Sequence, residues 1–390
     1  MIARAGVYVQ VPFCQTRCTY CNFHTGVVSS RRFAPYVGAV CREIQEHREL
    51  YAGAGISLAA AFADAVVDTA YIGGGTPSLL DPGHLQRLLD AIRGSFATEL
   101  AEVTLEADPE TVEIEKAEAW ARAGINRVSF GVQSFSDREL VAAGRMHRRG
   151  DVYRAVPILR NAGIGNISFD LIAGLPHQTR DSWRQSLEEL RGLAPEHVSV
   201  YLLEIDEGSR LGAEVLRGGG RYSAADLPSD DEMAEFYETA CDFLGQMGYH
   251  HYEISNWGKP GLESRHNLKY WRREAYLGFG AGAHSFSGTE RWANAHDAAG
   301  YVEALERGGL PVEQREILTA ERALEEELFL GLRQLDGIDV GRIERQYGVA
   351  LAGRFDPLAL AGLVERSGSV VRLAAGRLSV SNEVFVELLK

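Results

Sequence analysis

The chain has 390 residues, of which 45% are hydrophobic and 24% are charged, a composition typical of a folded globular protein. Its formal net charge of -14 argues against a nucleic acid as partner, since phosphate backbones are bound by clustered Lys and Arg. No apolar run reaches about 18 residues, and the N-terminal residues lack a signal-peptide pattern. We therefore expect no membrane span and a cytoplasmic protein.

Strand-like and helix-like segments alternate over the first two hundred residues. The strand candidates are 6–13, 66–73, 101–107, 126–132, 166–174 and 197–205, and amphipathic segments such as 82–96, 110–123 and 179–193 lie between them. Strands joined by helical crossovers form a parallel sheet with right-handed connections. Six units rather than eight predict an α/β fold built on an incomplete (β/α)6 barrel.

The alternation fades after residue 208. Segment 216–232 is rich in Gly, Ser and Asp and predicts a mobile connection, followed by a helix near 231–247. Helical runs from about 317 and the sequence VVRLAAGRLSVS (370–381), with a hairpin turn at Gly376-Arg377, predict a small C-terminal α+β domain of helical, winged type. We therefore expect a barrel over 1–215, a connecting region packed on it over 216–312, and a C-terminal domain over 313–390.

Three cysteines stand close together in CQTRCTYCNF, directly after the first predicted strand. Cys14, Cys18 and Cys21 have the spacing C-x3-C-x2-C, and Phe23 follows where a fourth cysteine would complete the set. Structural zinc sites are normally closed by four ligands, and a zinc protein is the nonenzymatic alternative. A [4Fe-4S] cluster held by three thiolates keeps its fourth iron open for an outside ligand. The missing fourth thiolate therefore favours a reactive cluster.

Distinctive residues also follow the other predicted strands. GGGTP (73–77), EADPE (106–110), QSF (133–135) and AGLP (173–176) each come at a strand's carboxyl end, where parallel α/β folds bind ligands. Glycines there allow the backbone to approach a ligand closely. The sequence therefore predicts that the candidate ligand-binding residues lie together at the carboxyl ends of the strands.

The cysteine triplet with Tyr20 before its third member resembles the signature of the radical S-adenosylmethionine (SAM) superfamily. The resemblance implies that the open iron binds the amino and carboxylate groups of SAM, and that an electron from the cluster cleaves the sulfonium to a 5′-deoxyadenosyl radical. It assigns the remaining SAM contacts to Tyr8, Tyr20, Gly74, Gly75, Thr76, Glu106, Gln133, Arg145 and Asp170. Arginine suits the carboxylate, and acidic or amide groups suit the amine and ribose hydroxyls.

Longer motifs resemble the oxygen-independent coproporphyrinogen oxidase branch, and within it the heme chaperone (HemW) group. They include IGGGTPSLL, LEADPE, DLIAGLP and GFGAGAHSF. The oxidases usually carry a further cysteine at the place of Phe23. Its absence here favours the heme chaperone group over the oxidases. HNLKYW (266–271) is similar to its heme-binding motif HNxxYW, which implies His266 as a heme iron ligand and Tyr270 and Trp271 as porphyrin contacts.

The resemblance implies a protein that holds heme and passes it to acceptor apoproteins such as respiratory cytochromes. The cluster requires an electron donor, and a homodimer is compatible with the sequence. The competing hypothesis is a radical enzyme of the same branch, which modifies a tetrapyrrole or transfers a methyl or methylene group. Whether the chain is an enzyme is left open, although coproporphyrinogen dehydrogenase activity is disfavoured by Phe23.

Overall fold

A computed structural model of the protein describes residues 3–56 and 65–389. Strands and helices alternate in its first half. The elements of this half, in chain order, are β1 (Arg4–Val11), β2 (Phe13–Cys14), β3 (Gly26–Val27), α1 (Phe33–Gln45), α2 (His47–Gly53), β4 (Val66–Gly74), α3 (Pro82–Ser95), β5 (Ala97–Ala107), α4 (Ile114–Ala123), β6 (Arg127–Gln133), α5 (Asp137–Ala142), α6 (Arg149–Asn161), β7 (Asn166–Ala173), α7 (Arg180–Leu193) and β8 (His197–Leu202).

The second half contains shorter elements. They are α8 (Arg210–Leu216), α9 (Asp230–Gln246), β9 (His250–Glu253), β10 (Asn256–Gly258), α10 (Arg265–Trp271), β11 (Tyr276–Phe279), β12 (His284–Phe286), β13 (Glu290–Asn294), α11 (Ala298–Glu306), β14 (Val312–Ile317), α12 (Ala320–Arg333), β15 (Ile338–Asp339), α13 (Val340–Tyr347), α14 (Ala352–Leu360), β16 (Val364–Ser367), β17 (Val370–Leu373) and α15 (Ser381–Leu388). None of the helices in the described part of the chain is long and apolar enough to cross a lipid bilayer.

Six parallel strands form the centre of the molecule. β1, β4, β5, β6, β7 and β8 are neighbours in that order, and each is parallel to the next. Alternate side chains of β1 explain the packing: Val7, Val9 and Val11 are buried in the main apolar core, which α1 shares, while Tyr8 and Gln10 point to the other side of the sheet. The predicted incomplete α/β barrel is confirmed.

Short strands extend this sheet at both sides. β11 runs parallel to β1 and is followed outward by antiparallel β12, β13 and β14, whereas β10 and β9 follow β8. Within the described ranges the mixed sheet has twelve strands. The predicted connection 216–232 contains a short 3-10 helix over Arg221–Asp226, and its last three residues belong to α9, whose N-cap is Ser229. The division of the chain after residues 215 and 312 stays a prediction.

The C-terminal part combines helices α12 to α15 with a small antiparallel sheet of order β15-β17-β16. The predicted hairpin turn at Gly376-Arg377 is wrong. The turn lies between β16 and β17, where Gly368 adopts φ +62°. Residues 375–380 instead form a 3-10 helix that buries Leu378 against the core.

Candidate cofactor site

The three cysteines line one cavity of about 410 Å³ at the carboxyl ends of the parallel strands. Cys14 ends β2, and Cys18 and Cys21 lie in the loop that follows. The structure brings them together with most of the residues assigned to SAM, which are Tyr20, Gly74, Gly75, Thr76, Glu106, Gln133, Arg145 and Asp170. The cavity therefore collects residues from six segments, which are the cysteine loop, the loop after β4, β5, β6, the loop after α5, and β7.

Contacts with distant segments hold the cysteine loop in place. Thr19 N–H donates to the Ala143 carbonyl at 2.9 Å, and the Thr19 carbonyl accepts from Leu211 N–H at 2.7 Å. Burial raises the pKa of the Cys14 and Cys21 thiols, so their thiolates require a compensating cation. Iron supplies such a cation. The donor set therefore fits a three-thiolate iron–sulfur cluster.

The glycine loop after β4 packs directly on the cysteine loop. Gly75 N–H donates to the Val11 carbonyl at 2.8 Å, and Thr76 N–H donates to the Phe13 carbonyl at 2.7 Å. A Cβ atom on Gly75 would lie 2.5 Å from the Phe13 oxygen and 2.9 Å from Cys14 Sγ. Only glycine fits this approach. The loop thus presents bare backbone to the cavity beside the cluster position.

Two half-buried carboxyl groups line the cavity. Glu106 accepts hydrogen bonds from Tyr71 Oη and from Gly74 N–H, each at 2.8 Å, and burial raises its pKa to about 7. Asp170 accepts from Ser129 Oγ at 3.3 Å, and burial also raises its pKa. A ligand with ammonium or hydroxyl donors would lower the cost of ionising both carboxyl groups. SAM carries both donor types.

Arg145 is the cation that faces the cysteines. Its guanidinium pairs with Asp108, donates to the Gly131 carbonyl at 2.8 Å and lies 3.4 Å from Cys18 Sγ. Its Nε is buried without a hydrogen-bond partner among the described residues. The side chain therefore offers a free donor to a carboxylate ligand.

Gln133 reaches the cavity because β6 is irregular there. The pairing of β6 with β7 shifts between Phe130 and Gln133, and Gln133 adopts φ +63°. Such a bulge re-aims a side chain at the end of a strand. The backbone irregularity therefore explains how Gln133 joins the site.

Three neighbours of the predicted residues were not singled out from the sequence. Tyr71 and Ser129 hold the two half-buried carboxyl groups, and Asp108 binds both Arg145 and the Thr76 hydroxyl, the latter at 3.2 Å. Alternation along β4 and β6 was the available signal for Tyr71 and Ser129, because each has the same parity as a polar residue facing the barrel. Asp108 stood within the EADPE motif.

Tyr8 and the HNLKYW residues lie apart from the cavity lining. Tyr8 donates its hydroxyl to Gln10 Oε1 at 2.6 Å and stacks near Tyr71, with ring centroids 5.9 Å apart. His266 packs behind this pair, 5.3 Å from the Tyr71 ring centroid. Trp271 faces away, with Arg333 of α12 over its ring at 4.5 Å. The structure therefore does not place Trp271 and His266 against one common open surface.

Helix α10 is fixed against the amino-terminal halves of β1, β4 and β5. Glu102 of β5 accepts hydrogen bonds from Arg265 N–H and His266 N–H, both at 2.9 Å. Lys269 pairs with Asp68 at 2.8 Å and with Glu274 at 3.0 Å. These contacts place the HNLKYW segment at the end of the barrel opposite the cysteines.

The imidazole of His266 is fully engaged inside this packing. The residue is 1% exposed, its Nδ1 lies 2.9 Å from Thr69 Oγ1, and its Nε2 lies 2.8 Å from Tyr270 Oη. Burial, followed by the charge of Lys269, lowers the pKa of His266 to about 3. The ring is therefore neutral, and both nitrogens already have partners.

Comparisons with known proteins identify two family regions in the chain. Residues 8–190 match the Radical SAM superfamily, and residues 318–381 match the HemN C-terminal domain. The chain is 36% identical to the heme chaperone HemW of Bacillus subtilis over 97% of each chain, and 37% identical to that of Mycobacterium tuberculosis H37Rv over 96% of this chain and 92% of the other.

A solved structure shows the same fold. Coproporphyrinogen III oxidase (HemN) from Escherichia coli superposes with a TM-score of 0.83, covering 99% of this chain and 90% of the other at 24% sequence identity. The similarity to HemW over almost the full length of both chains shows that the chain belongs to the HemW family of radical SAM proteins.

Proposed function

We propose that the chain is a heme chaperone that binds heme and delivers it to acceptor apoproteins such as respiratory cytochromes. The observation that carries this proposal is the similarity to a protein named heme chaperone HemW along almost the full length of both chains. The presence of Phe23 in place of a fourth cysteine agrees with it. We place this activity in the cytoplasm, with an external electron donor for the cluster and a homodimer as a compatible assembly.

The cavity would hold the two resident cofactors. Cys14, Cys18 and Cys21 would bind the [4Fe-4S] cluster, and the open iron would face the glycine loop. Arg145 would pair with the methionine carboxylate of SAM, while Glu106 and Asp170 would accept from its ammonium and ribose hydroxyls. When bound and reduced, the cluster supplies an electron that cleaves the sulfonium of SAM.

The sequence assigns heme contact to HNLKYW, and this assignment stays a prediction. Iron ligation by His266 would require it to give up Thr69 or Tyr270, and α10 to leave its contacts with Glu102. A polar group that loses its partner and stays buried costs about 1 to 3 kcal/mol. Heme binding there would therefore be coupled to opening of the barrel's amino end.

Heme transfer tests the proposed function directly. The protein is reconstituted anaerobically with iron and sulfide, loaded with one equivalent of hemin and mixed with an apocytochrome. We expect a Soret band on loading and its transfer to the acceptor at a rate above that of free hemin. A protein that takes up no hemin, or releases it no faster to the acceptor than to buffer, would contradict the proposal.

Most of the residues assigned to SAM line one cavity, and this favours one alternative, a radical enzyme acting on a tetrapyrrole or a methyl or methylene transferase. Incubation with SAM, reductant and a porphyrinogen separates the two. The chaperone function predicts no porphyrinogen consumption beyond a control without protein. Stoichiometric formation of 5′-deoxyadenosine with loss of the porphyrinogen would instead establish the enzyme.

A further inference from the structure

A carboxyl group and an imidazole face each other at the edge of the cofactor cavity. Glu110 lines the cavity, and His147 is fully buried beside it. Glu110 Oε2 and His147 Nδ1 are 3.9 Å apart. Both atoms are buried, and neither has a hydrogen-bond partner among the described residues. The pair therefore has hydrogen-bonding capacity that the SAM contacts derived above do not use.

The irregular end of β6 explains why these two side chains meet. Two successive carbonyl groups of this strand accept hydrogen bonds from the loop after α5. The Gly131 carbonyl accepts from Arg145 Nη2 at 2.8 Å, and the Val132 carbonyl accepts from His147 Nε2 at 3.0 Å. Arg145 pairs in turn with Asp108, two residues before the glutamate of the pair. The ion pair and the carboxyl–imidazole pair are therefore neighbours, and each joins the segment after β5 to the loop after α5.

The hydrogen bond to Val132 determines where the imidazole carries its hydrogen. A carbonyl oxygen only accepts, so His147 Nε2 holds the hydrogen and Nδ1 keeps a lone pair. An ionised carboxylate also only accepts. Glu110 can therefore hydrogen-bond directly to Nδ1 only when its carboxyl group carries a proton. The geometry thus favours one proton on the pair, held by the carboxyl group.

The electrostatic environment favours the same protonation state. Burial, followed by the charge of Asp108, raises the pKa of Glu110 to about 7. Burial, followed by the charge of Arg145, lowers the pKa of His147 to about 4. Up to about pH 7 the proton of the pair is therefore on Glu110, and the imidazole is neutral.

The charged groups of α6 that act on the pair are already compensated. The charge of Asp151 acts on both members of the pair, but this carboxylate accepts from Arg148 N–H at 2.8 Å and pairs with Arg154 at 2.9 Å. The guanidinium of Arg148 donates to backbone carbonyl groups of the loop after α5. The cation whose charge opposes an ionised Glu110 is Arg145. Ionisation of the pair is therefore felt at the guanidinium that faces the cysteines.

We propose that Glu110 and His147 hold one proton that keeps Arg145 available for the carboxylate of SAM. The neutral pair leaves Arg145 with Asp108 as its carboxylate partner. An ionised Glu110 would add a second negative charge near the guanidinium and would repel the carboxylate of bound SAM. Glu110 and His147 are positioning residues, because they act on the ligand through Arg145. The inference rests on the SAM site of the proposed function and adds two residues to it.

The test measures SAM affinity by equilibrium dialysis between pH 6 and pH 8 for four reconstituted proteins: wild type, Glu110→Gln, His147→Phe and Glu113→Gln. We expect the affinity of wild type to fall about fivefold over this range relative to Glu110→Gln. The glutamine amide stays neutral and can donate to His147 Nδ1, so it imitates the protonated acid. Glu113 is an exposed residue at the N-cap of α4 whose side chain caps no amide, so Glu113→Gln should follow wild type.

The variant His147→Phe tests the acceptor of the proton. It keeps a ring of similar size but removes the nitrogen to which the neutral carboxyl group would donate. Loss of this acceptor lowers the pKa of Glu110, so the decline in SAM affinity should begin at a lower pH than in wild type. A decline at the same pH as in wild type would remove the imidazole from the pair.

Two controls separate the possible outcomes. Iron and sulfide content, with thermal unfolding, confirms that each variant folds and keeps its cluster. Other groups that titrate in this range, Glu106 among them, are the same in all four proteins and cancel in the comparison. If Glu110→Gln has the pH profile of wild type, the inference is overturned while the SAM site stands. If wild type with a full cluster binds no SAM at any pH, the SAM site of the proposed function fails as well.

Discussion

The two ends of the barrel contain similar types of polar residue, but these residues differ in how fully their hydrogen-bonding groups are paired. At the carboxyl end, Glu106 and Asp170 are half-buried carboxyl groups with raised pKa values, and Arg145 keeps one buried donor unpaired. At the amino end, Glu102 accepts from two backbone amides of α10, and His266 has a partner on each nitrogen. The partners of these residues are incomplete at the carboxyl end, whereas Glu102 and His266 have theirs at the amino end.

This contrast separates a ligand site from a structural element. Burial of a polar group is costly unless a partner satisfies it, so an incomplete set of partners indicates that a ligand completes the site. A complete set indicates that packing alone explains the residues. By this criterion His266, with a partner on each ring nitrogen, is a structural residue. Each prediction below tests whether the two ends differ as this reasoning requires.

Loss of one cluster ligand should have the largest effect. Cys18→Ala removes one of three thiolates, and a cluster held by two is not retained, so iron, sulfide and visible absorption should fall to background. Cys41→Ala is the matched control, because this cysteine is buried on α1 away from the cavity. A Cys18→Ala protein that keeps full iron content after desalting would remove the cysteine loop from the site.

Substitution in the glycine loop should have the next largest effect. The methyl group of Gly75→Ala would meet the Phe13 carbonyl and Cys14 Sγ, so the backbone of the cysteine loop has to move. We expect SAM affinity to fall roughly hundredfold, about 2.7 kcal/mol, measured by equilibrium dialysis of the reconstituted protein.

Gly94→Ala is the control for this substitution. Gly94 is exposed on α3, with nothing within 4 Å of an added Cβ atom. This change should leave SAM binding unaltered and stabilise the helix by about 0.5 to 1 kcal/mol. Equal SAM affinity in both variants would mean that the glycine loop does not contact the cofactor.

The barrel was predictable from the sequence because its strands are buried on both faces and read as apolar runs. Strands β11 to β14 were not predicted, since segments such as GFGAGAHSF are short and interrupted by glycines that resemble loops. The cofactor residues were found through motif resemblance. The contact between Asp108 and Arg145 joins residues that are 37 positions apart in the sequence. It depends on the tertiary fold, so no local sequence pattern could predict it.

The heme assignment of HNLKYW stays a prediction, and the side-chain directions in this motif could not be derived from the sequence. The six residues suggested a histidine and two aromatic rings on one heme surface. In the helix, His266 points to Thr69 and Trp271 lies against Arg333 of the C-terminal part. The sequence gives the residue types of the motif, but the direction of each side chain follows from how α10 packs.

Glu43 should give the carboxyl end a pH-dependent stability. It is fully buried on α1 and accepts from Gly280 N–H at 2.9 Å, Asn294 Nδ2 at 2.7 Å and Tyr301 Oη. Burial raises its pKa from 4.5 to about 7. The favourable contribution of the neutral acid is therefore complete below about pH 4.5 and is lost as the pH rises through 7.

Urea unfolding of Glu43→Gln checks this prediction. Relative to the variant, the wild type should lose about 2 kcal/mol of unfolding free energy between pH 5 and pH 7, because only the wild type has a carboxyl group to ionise. Asp297→Asn provides an exposed comparison at the N-cap of α11. Parallel pH profiles for wild type and Glu43→Gln would show that this carboxyl group ionises in the folded protein as easily as in the unfolded chain.

The smallest effect is expected at the amino end, from Tyr270→Phe. The change removes only the hydroxyl that hydrogen-bonds His266 Nε2 and keeps the ring that packs on Tyr276, with centroids 4.7 Å apart. We expect about 1 kcal/mol loss of unfolding free energy, with cluster content and SAM affinity unchanged. If SAM affinity fell while stability stayed constant, the amino end of the barrel would be coupled to the cofactor cavity through Tyr71. The conclusion that the two ends act separately would then be wrong.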